Sequence, residues 1–434
     1  MAVIPNIIFA VILFAAIFFF VRNVRKLIRN IRIGKDVDRS DNKPERFRKM
    51  ARIALGQQKM VVRPVAGILH IIVYLGFIII NIEVLEIIID GLFGTHRIFS
   101  FLGGFYAVLI GSFEVLALLV LVSVIVFWVR RNIIRLQRFR KPEMKGWPKN
   151  DGNFILYFEM ILMVLFLVMN ATDVSFQQMQ AGNVVSGLIA PLFEGLPGST
   201  LHIIERSAWW LHIVGILVFL NYLYYSKHLH ILLAFPNTYF ANLNPKGRMD
   251  NLEAVTKEVK LMMDPNADPF AAPAEGEESA PPEKFGVSDV ADLNWVQLLN
   301  AYTCTECGRC TSECPASQTG KKLSPRKIMM DTRDRLEEVG KNIDNNGTFV
   351  EDNKSLLDNY ITREELWACT SCNACVEACP VSIDPLSIIL DMRRYLVMEQ
   401  SAAPAELNNM MTNIENNGAP WPYNQMDRLN WKNE

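Results

Sequence analysis

No cysteine precedes Cys304 in this 434-residue chain, and none follows Cys379. No histidine follows His230. Net charge is nearly absent as well, at -1 from 44 basic and 45 acidic residues. Each absence excludes something. Cysteines confined to two short stretches leave none for a dispersed disulfide framework, so they read as metal ligands in a reducing compartment. Without histidine near those cysteines, the mixed Cys/His sets of many structural zinc sites are ruled out. The near-neutral balance offers no basic field, and no nucleic-acid partner is expected. A Gly-rich dinucleotide fingerprint is missing too. The glycines of GGFYAVLIG at 103–111 sit in an apolar run, where close helix packing accounts for them.

Hydrophobic length is what the chain has in quantity. Stretches at 3–21, 64–90, 101–129, 153–170 and 205–226 are apolar enough to cross a bilayer, which takes about 20 helical residues. The first opens MAVIPNIIFAVILFAAIFFF, with no basic residue before it and no small-residue cleavage site after it, so a retained membrane helix is expected rather than a signal peptide. Lys and Arg crowd into 22–63 and 130–150 and are scarce in the other loops. The positive-inside rule then predicts an integral protein of the cytoplasmic (inner) membrane with its N-terminus outside and everything after Lys227 inside. Trp209 and Trp210 fall at the outer interface, and Tyr222, Tyr224 and Tyr225 at the inner one.

The predicted fold class is mainly α, a five-helix transmembrane bundle followed by a helical ferredoxin-like domain. Composition divides the chain at 1–235 (membrane helices), 236–286 (linker), 287–400 (small soluble domain) and 401–434 (irregular polar tail). The linker contains DPNADPFAAPAEGEESAPPEK, acidic and Pro/Ala-rich, which predicts a flexible tether.

The eight cysteines form two copies of one pattern, C-x2-C-x2-C-x3-C-P: CTECGRCTSECP at 304–315 and CTSCNACVEACP at 369–380. Three thiolates two residues apart on a looping backbone reach three corners of a cubane, and the fourth, ahead of proline, points elsewhere. In two-cluster ferredoxins that fourth cysteine serves the other cluster. The spacing therefore predicts two 4Fe-4S clusters, one on Cys304, Cys307, Cys310 and Cys379, the other on Cys369, Cys372, Cys375 and Cys314.

All six histidines, at 70, 96, 202, 212, 228 and 230, lie in or beside the apolar spans, where ionisable side chains are costly and mark function. A b-type haem needs two facing imidazoles at matching depth, and His70 with His230 meets that near the inner face. His212 and His230 are eighteen residues apart, five turns of one helix, which predicts a shared face and a separation of about 27 Å. A second bis-histidine haem would need a histidine about ten residues beyond His70, where Ile80 stands, followed by Asn81. A second haem on His212 alone, one shared by His212 with His202 or His96, and no second haem at all remain open. The bland alternative for these histidines is a hydrogen-bonded helix contact. Glu83, Glu86, Glu114 and Glu159 are candidate proton handlers, with snorkelling an equal explanation for Glu86.

RPVAGILHIIVYLGF around His70 and WWLHIVGILVFLNYLYYSKHLHILLAFP resemble the cytochrome b subunit of respiratory nitrate reductase and the membrane subunit of heterodisulfide reductase. The S-K-x-L-H ending at His230, with His212 upstream, matches ligand positions of that cytochrome, whose second histidine in span two has no counterpart here. FGVSDVADLNWVQLLNAYTCTECGRCTSECPASQTGKKLSPRKI and WACTSCNACVEACPVSIDP resemble the iron–sulfur portion of heterodisulfide-reductase-like membrane proteins. Many such proteins continue into a region with CCG-type cysteine motifs, which this chain lacks. The resemblance therefore implies a separate cytoplasmic partner protein with flavin or CCG-type cysteines.

The expected function is that of an electron-transfer subunit of a membrane-bound, quinone-linked respiratory oxidoreductase. Electrons would pass between the cytoplasmic partner, the two clusters, haem b and the quinone pool, with quinone exchange near Asn81, Glu83, His96 and His212. The alternative is a membrane-anchored redox sensor or scaffold without quinone chemistry, which would have no use for aligned imidazoles. A terminal reductase of soluble disulfides is a further rival, opposed by the assignment of all eight cysteines to clusters.

Overall fold

The computed structural model describes residues 3–179, 182–265 and 284–433. Most of the acidic stretch 264–284, and with it the expected tether, lies outside the described residues. In chain order the first helices are α1 (Val3–Ile31), α2 (Lys43–Met50), α3 (Pro64–Phe93), α4 (Gly104–Asn132), α5 (Trp147–Thr172), α6 (Gly198–Tyr222) and α7 (His230–Tyr239). No strand occurs among the described residues, only isolated bridges such as Lys35 with Asn294.

Uninterrupted aliphatic sequence makes the long helices, and local chemistry punctuates them. Proline opens α3 and α5, where a missing N–H costs nothing, and Gly94 closes α3 at φ 72°, a left-handed conformation suited to glycine. Consecutive spans pack on one another, α3 on α4, α4 on α5 and α5 on α6, while α1 lies against α3 and α6. Phe9, Ile110, Phe113, Phe166 and Ile213 fill the centre. Ile4, Phe14, Phe18, Ile68, Phe77, Val108, Ile161 and Leu211 point outward and exposed. Such a band would be an aggregation liability in water and is the expected surface toward lipid. Among the described residues, five helices are thus long and apolar enough to cross a membrane. α1 runs past its apolar stretch, carrying Arg22, Arg25, Lys26 and Arg29 beyond it.

One expectation fails here. α6 ends at Tyr222, and Ser226 is extended at φ -117°, ψ 145° before α7 begins at His230. His212 and His230 therefore do not share a helix. Asp151, buried on α5, holds the break by accepting from Tyr222 Oη at 2.6 Å and from Lys227 N at 3.1 Å.

The later helices are α8 (Glu253–Met263), α9 (Trp295–Thr303), α10 (Arg309–Glu313), α11 (Pro325–Asn346), α12 (Ala374–Ala378), α13 (Pro385–Met398) and α14 (Ala405–Asn417). The stretch 236–286 thus contains the end of α7 and all of α8, and 401–434 contains α14. A capping box between Asn294 and Gln297 starts α9, which leads straight into Cys304.

The cysteine half is built onto one end of the bundle. Leu27, Ala54, Leu223, Leu229 and Ala234 share a hydrophobic core with Leu298, Ile328, Leu336, Ile388 and Leu396. Polar contacts reinforce it. Asn30 Nδ2 donates to Tyr302 Oη at 2.9 Å, Lys35 N to Leu293 O at 2.7 Å, and Asn237 Nδ2 to Val381 O at 2.8 Å. Fully buried Arg326 reaches Glu143 at 2.7 Å and Arg138 O at 2.8 Å in the loop between α4 and α5.

Candidate metal centres

The two cysteine runs have the same backbone twice. Glu306 and Gly308 take φ 52° and 71°, and their counterparts Ser371 and Asn373 take 56° and 61°. These left-handed residues turn the chain so that successive thiols face one space, a conformation that glycine and asparagine adopt most cheaply. Cys314 and Cys379 are both extended, at φ -75°, ψ 119° and φ -72°, ψ 122°. α10 and α12, the short helices inside the runs, pack against each other.

The last cysteine of the second run comes to the first run. Cys304, Cys307 and Cys310 line a cavity together with Cys379 and Cys375, closed by Met329, Pro380, Ile383 and Pro385. Cys314 is not among the residues that line it. No three His, Cys, Asp or Glu side chains among the described residues converge on a single point suited to one ion.

Burial pushes the Cys304 thiol up to about 12 and that of Cys379 up to about 11, with neighbouring sulfurs adding to both. Binding iron here means displacing protons, so loading is coupled to pH. Backbone N–H groups already point at sulfur: Ile383 N lies 3.3 Å from Cys379 Sγ, and Ser371 N 3.4 Å from Cys369 Sγ. Cys304, Cys314, Cys375 and Cys379 are buried, whereas Cys372 is exposed.

The structure brings His70 and His230 together, with ring centroids 6.4 Å apart and planes at 38°. Imidazoles on opposite sides of one metal, each nitrogen about 2 Å from it, have centroids about 6 Å apart. His230 Nδ1 lies 3.0 Å from Lys227 O, the bond that leaves Nε2 free for a metal. Burial holds His230 below its ordinary pKa, in the neutral form that ligates. His70 Nδ1 is buried without a partner. Lys227 also connects this pair to the first run, because its Nζ bonds Glu306, between Cys304 and Cys307. Burial alone would raise Glu306, yet Lys227 and Arg333 hold its carboxyl below the ordinary value.

His228 is a neighbour that spacing does not single out. Its ring lies 5.4 Å from that of His230, and its Nε2 is 3.6 Å from Glu159 Oε1. His212 is buried elsewhere, 5.9 Å from the Phe166 ring with Nδ1 3.0 Å from Leu162 O. It meets neither His96 nor His202. Those two line a cavity of about 650 Å³ at the opposite end of the bundle, beside Glu83, Glu86, Arg97 and Trp209. Asn81 is exposed on the outer face of α3 and bonds Phe77 O of its own helix.

That cavity rests on a buried polar network. Arg97 donates to Asp173 at 2.8 Å and to Asn170 at 2.9 Å, and Tyr106 Oη donates to Glu86 at 3.0 Å. Asn170 Nδ2 continues it to Glu114 at 3.0 Å. Glu83 lines the space while its Oε2 has no partner. Glu83 and His96 are visible in the sequence as ionisable groups near apolar spans. Asp173, Glu205 and Arg206 join them only through packing, and their one sequence signal is charge at the edge of an apolar run.

Residues 300–383 match the 4Fe-4S dicluster domain. Over nearly its full length the chain is similar to the "Probable iron-sulfur-binding oxidoreductase FadF" of Bacillus subtilis, at 28% identity over 99% of this chain and 61% of that protein. It is 25% identical to the "EtfAB:quinone oxidoreductase" of Syntrophomonas wolfei, over 92% of this chain and 55% of that protein. A shorter match, 32% over 24% of this chain and 52% of the relative, is to one of the subunits of the ferredoxin/F(420)H(2)-dependent CoB-CoM heterodisulfide reductase of Methanosarcina acetivorans. The chain thus spans under two thirds of the length of the first two. No solved structure matches. These relatives are iron–sulfur oxidoreductases and redox-complex subunits, and the thiol geometry above coincides with the matched dicluster domain.

Proposed function

We propose that the chain is an electron-transfer subunit of a membrane-bound respiratory oxidoreductase, linking a soluble redox partner to quinone in the bilayer. In this reading Cys304, Cys307, Cys310 and Cys379 hold one 4Fe-4S cluster, and Cys369, Cys372, Cys375 and Cys314 hold the other. His70 and His230 would hold a b-type haem. When bound, these groups supply one-electron chemistry, while the protein supplies spacing, orientation and electrostatics.

The observation that carries the reading is Lys227. Its carbonyl takes the His230 Nδ1 hydrogen bond and its ammonium bonds Glu306 in the first cysteine run. One residue therefore orients an imidazole and anchors a thiol site. The exposed Cys372 marks the face where a soluble partner, with flavin or CCG-type cysteines, would approach. The cavity at the opposite end offers carboxylates, His96 and tryptophans to a quinone headgroup. The relative named for quinone supports that choice of ligand. Basic residues crowded at 22–63 and 130–150 favour the cysteine half on the cytoplasmic side. The working division remains 1–235 for the membrane domain, 236–286 for the linker, 287–400 for the dicluster domain and 401–434 for the tail.

The test is His230→Ala in the full chain. It should remove a low-spin b-type absorption while leaving iron and sulfide content intact. An unchanged spectrum overturns the assignment of His70 and His230 to a haem.

A further inference from the structure

Arg309 stands immediately before Cys310, the third cysteine of the first run, and only 5% of it is exposed. Its Nη1 donates to Lys59 O at 2.7 Å and its Nη2 to Met60 O at 3.3 Å. Those carbonyls belong to the loop that leads into α3. The same loop is pressed onto the start of that helix. A Cβ on Gly67, three residues ahead of His70, would lie 2.7 Å from Met60 O and 2.9 Å from Val61 Cα. Two further cations stitch the loop to the cysteine runs. Lys59 Nζ donates to Glu377 O at 3.0 Å, just before Cys379, and Arg63 reaches Ser312 Oγ at 2.7 Å and Glu313 at 2.8 Å, beside Cys314.

Two neutral carbonyls need donors, but they do not need a charge. A buried guanidinium is expensive unless an anion compensates it. Here both main hydrogen bonds go to neutral oxygens, and the guanidinium's own backbone sits within the first cysteine run, between Cys307 and Cys310. A thiolate set holding iron carries the negative charge that the site otherwise lacks.

We propose that Arg309 is a positioning residue shared by two redox sites, the counter-cation of the Cys304/Cys307/Cys310/Cys379 site and the clamp that fixes the His70 helix against it. This rests on the assignment of those residues to a cluster and a haem. Adding an electron makes either site more negative, and a buried cation at short range favours that reduced state. The guanidinium therefore raises the reduction potential of the thiolate site most, that of the imidazole-pair site less, and that of the Cys369/Cys372/Cys375/Cys314 site least. Charge and clamp are separable, because lysine keeps the first without the planar, two-carbonyl reach of the second.

The experiment compares the full chain in detergent with its Arg309→Gln and Arg309→Lys variants. It reads iron and sulfide content, the b-type band, and midpoint potentials from EPR and optical titrations. Arg309→Gln should shift the first cluster's midpoint to lower potential, shift the haem less, and leave the second cluster in place. Arg309→Lys should keep the cluster midpoint near wild type while slowing reduction of the haem through the clusters several-fold. An unchanged first-cluster midpoint in Arg309→Gln at full iron content overturns the proposal. So does a shift in Arg309→Lys as large as in Arg309→Gln. Wild-type protein without a b-type band refutes the imidazole-pair assignment alone, and the cluster midpoints then still decide the role of Arg309.

Discussion

Replacing Glu143 by alanine should loosen the cysteine half from the bundle. Glu143 lies in the loop between α4 and α5, with its side chain 8% exposed, and accepts from fully buried Arg326 and from Ser324 Oγ, both at 2.7 Å. Alanine removes the carboxylate and leaves a buried guanidinium with backbone carbonyls as its remaining partners. Breaking a buried pair from one side costs about 3 kcal/mol, roughly a 100-fold change in the local opening equilibrium.

Hydrogen exchange on the intact protein reads that equilibrium at Arg140, Met144 and Lys145, whose amides are bonded within the same loop. At neutral pH these amides should exchange roughly 100-fold faster in the variant. The pH dependence has a definite sign. Burial would raise Glu143, but Ser324 and Arg326 outweigh it and hold the carboxyl below its ordinary value. The contribution is therefore complete above the ordinary glutamate pKa of about 4.3 and fades as pH falls through the lowered folded value. Wild type and variant should converge only in acid. Equal protection at neutral pH would refute this account of the interface.

Three other outcomes are expected. Cys379→Ser should deplete the cluster built mainly on Cys304–Cys310, and EPR showing loss confined to the other cluster would overturn the crossed arrangement. Gly308→Ala should cost about 1–2 kcal/mol for the left-handed backbone alone. It would also crowd Arg326 Nη1, 2.5 Å from the added Cβ, lowering melting temperature and iron retention, whereas Asn373→Gly should leave both unchanged. Glu83→Gln should slow quinol-driven reduction by about 100-fold, the lower end of what one positioned proton-transfer group contributes, while dithionite reduction stays normal. Wild-type quinol rates would remove Glu83 from that role.

What is legible in the sequence is local chemistry. Cluster ligation needs thiols at fixed backbone intervals, so CTECGRCTSECP and CTSCNACVEACP announce themselves without a fold. Membrane helices follow from composition in the same way. Docking of the two halves is not legible, because it depends on pairs such as Asn30 with Tyr302 and Arg309 with Met60, distant in sequence and neutral on one side or both. The acidic stretch before residue 287 reads as a loose tether, yet the core shared by Leu27, Leu223 and Ile328 makes the halves contiguous regardless of it. The relation of His212 to His230 escapes sequence reasoning for a similar reason. A helix-favouring run is broken at Ser226 by contacts from Asp151, more than seventy residues upstream. His70 and His230 still meet, since the break redirects the chain without carrying His230 away from α3.

The most direct test of the central claim is an optical difference spectrum of the purified full chain, reduced first with a quinol analogue and then with dithionite. The account predicts a b-type band appearing with quinol and absent from His230→Ala protein that retains its iron. No haem band under either reductant would contradict it, leaving His70 and His230 as a packing contact between helices.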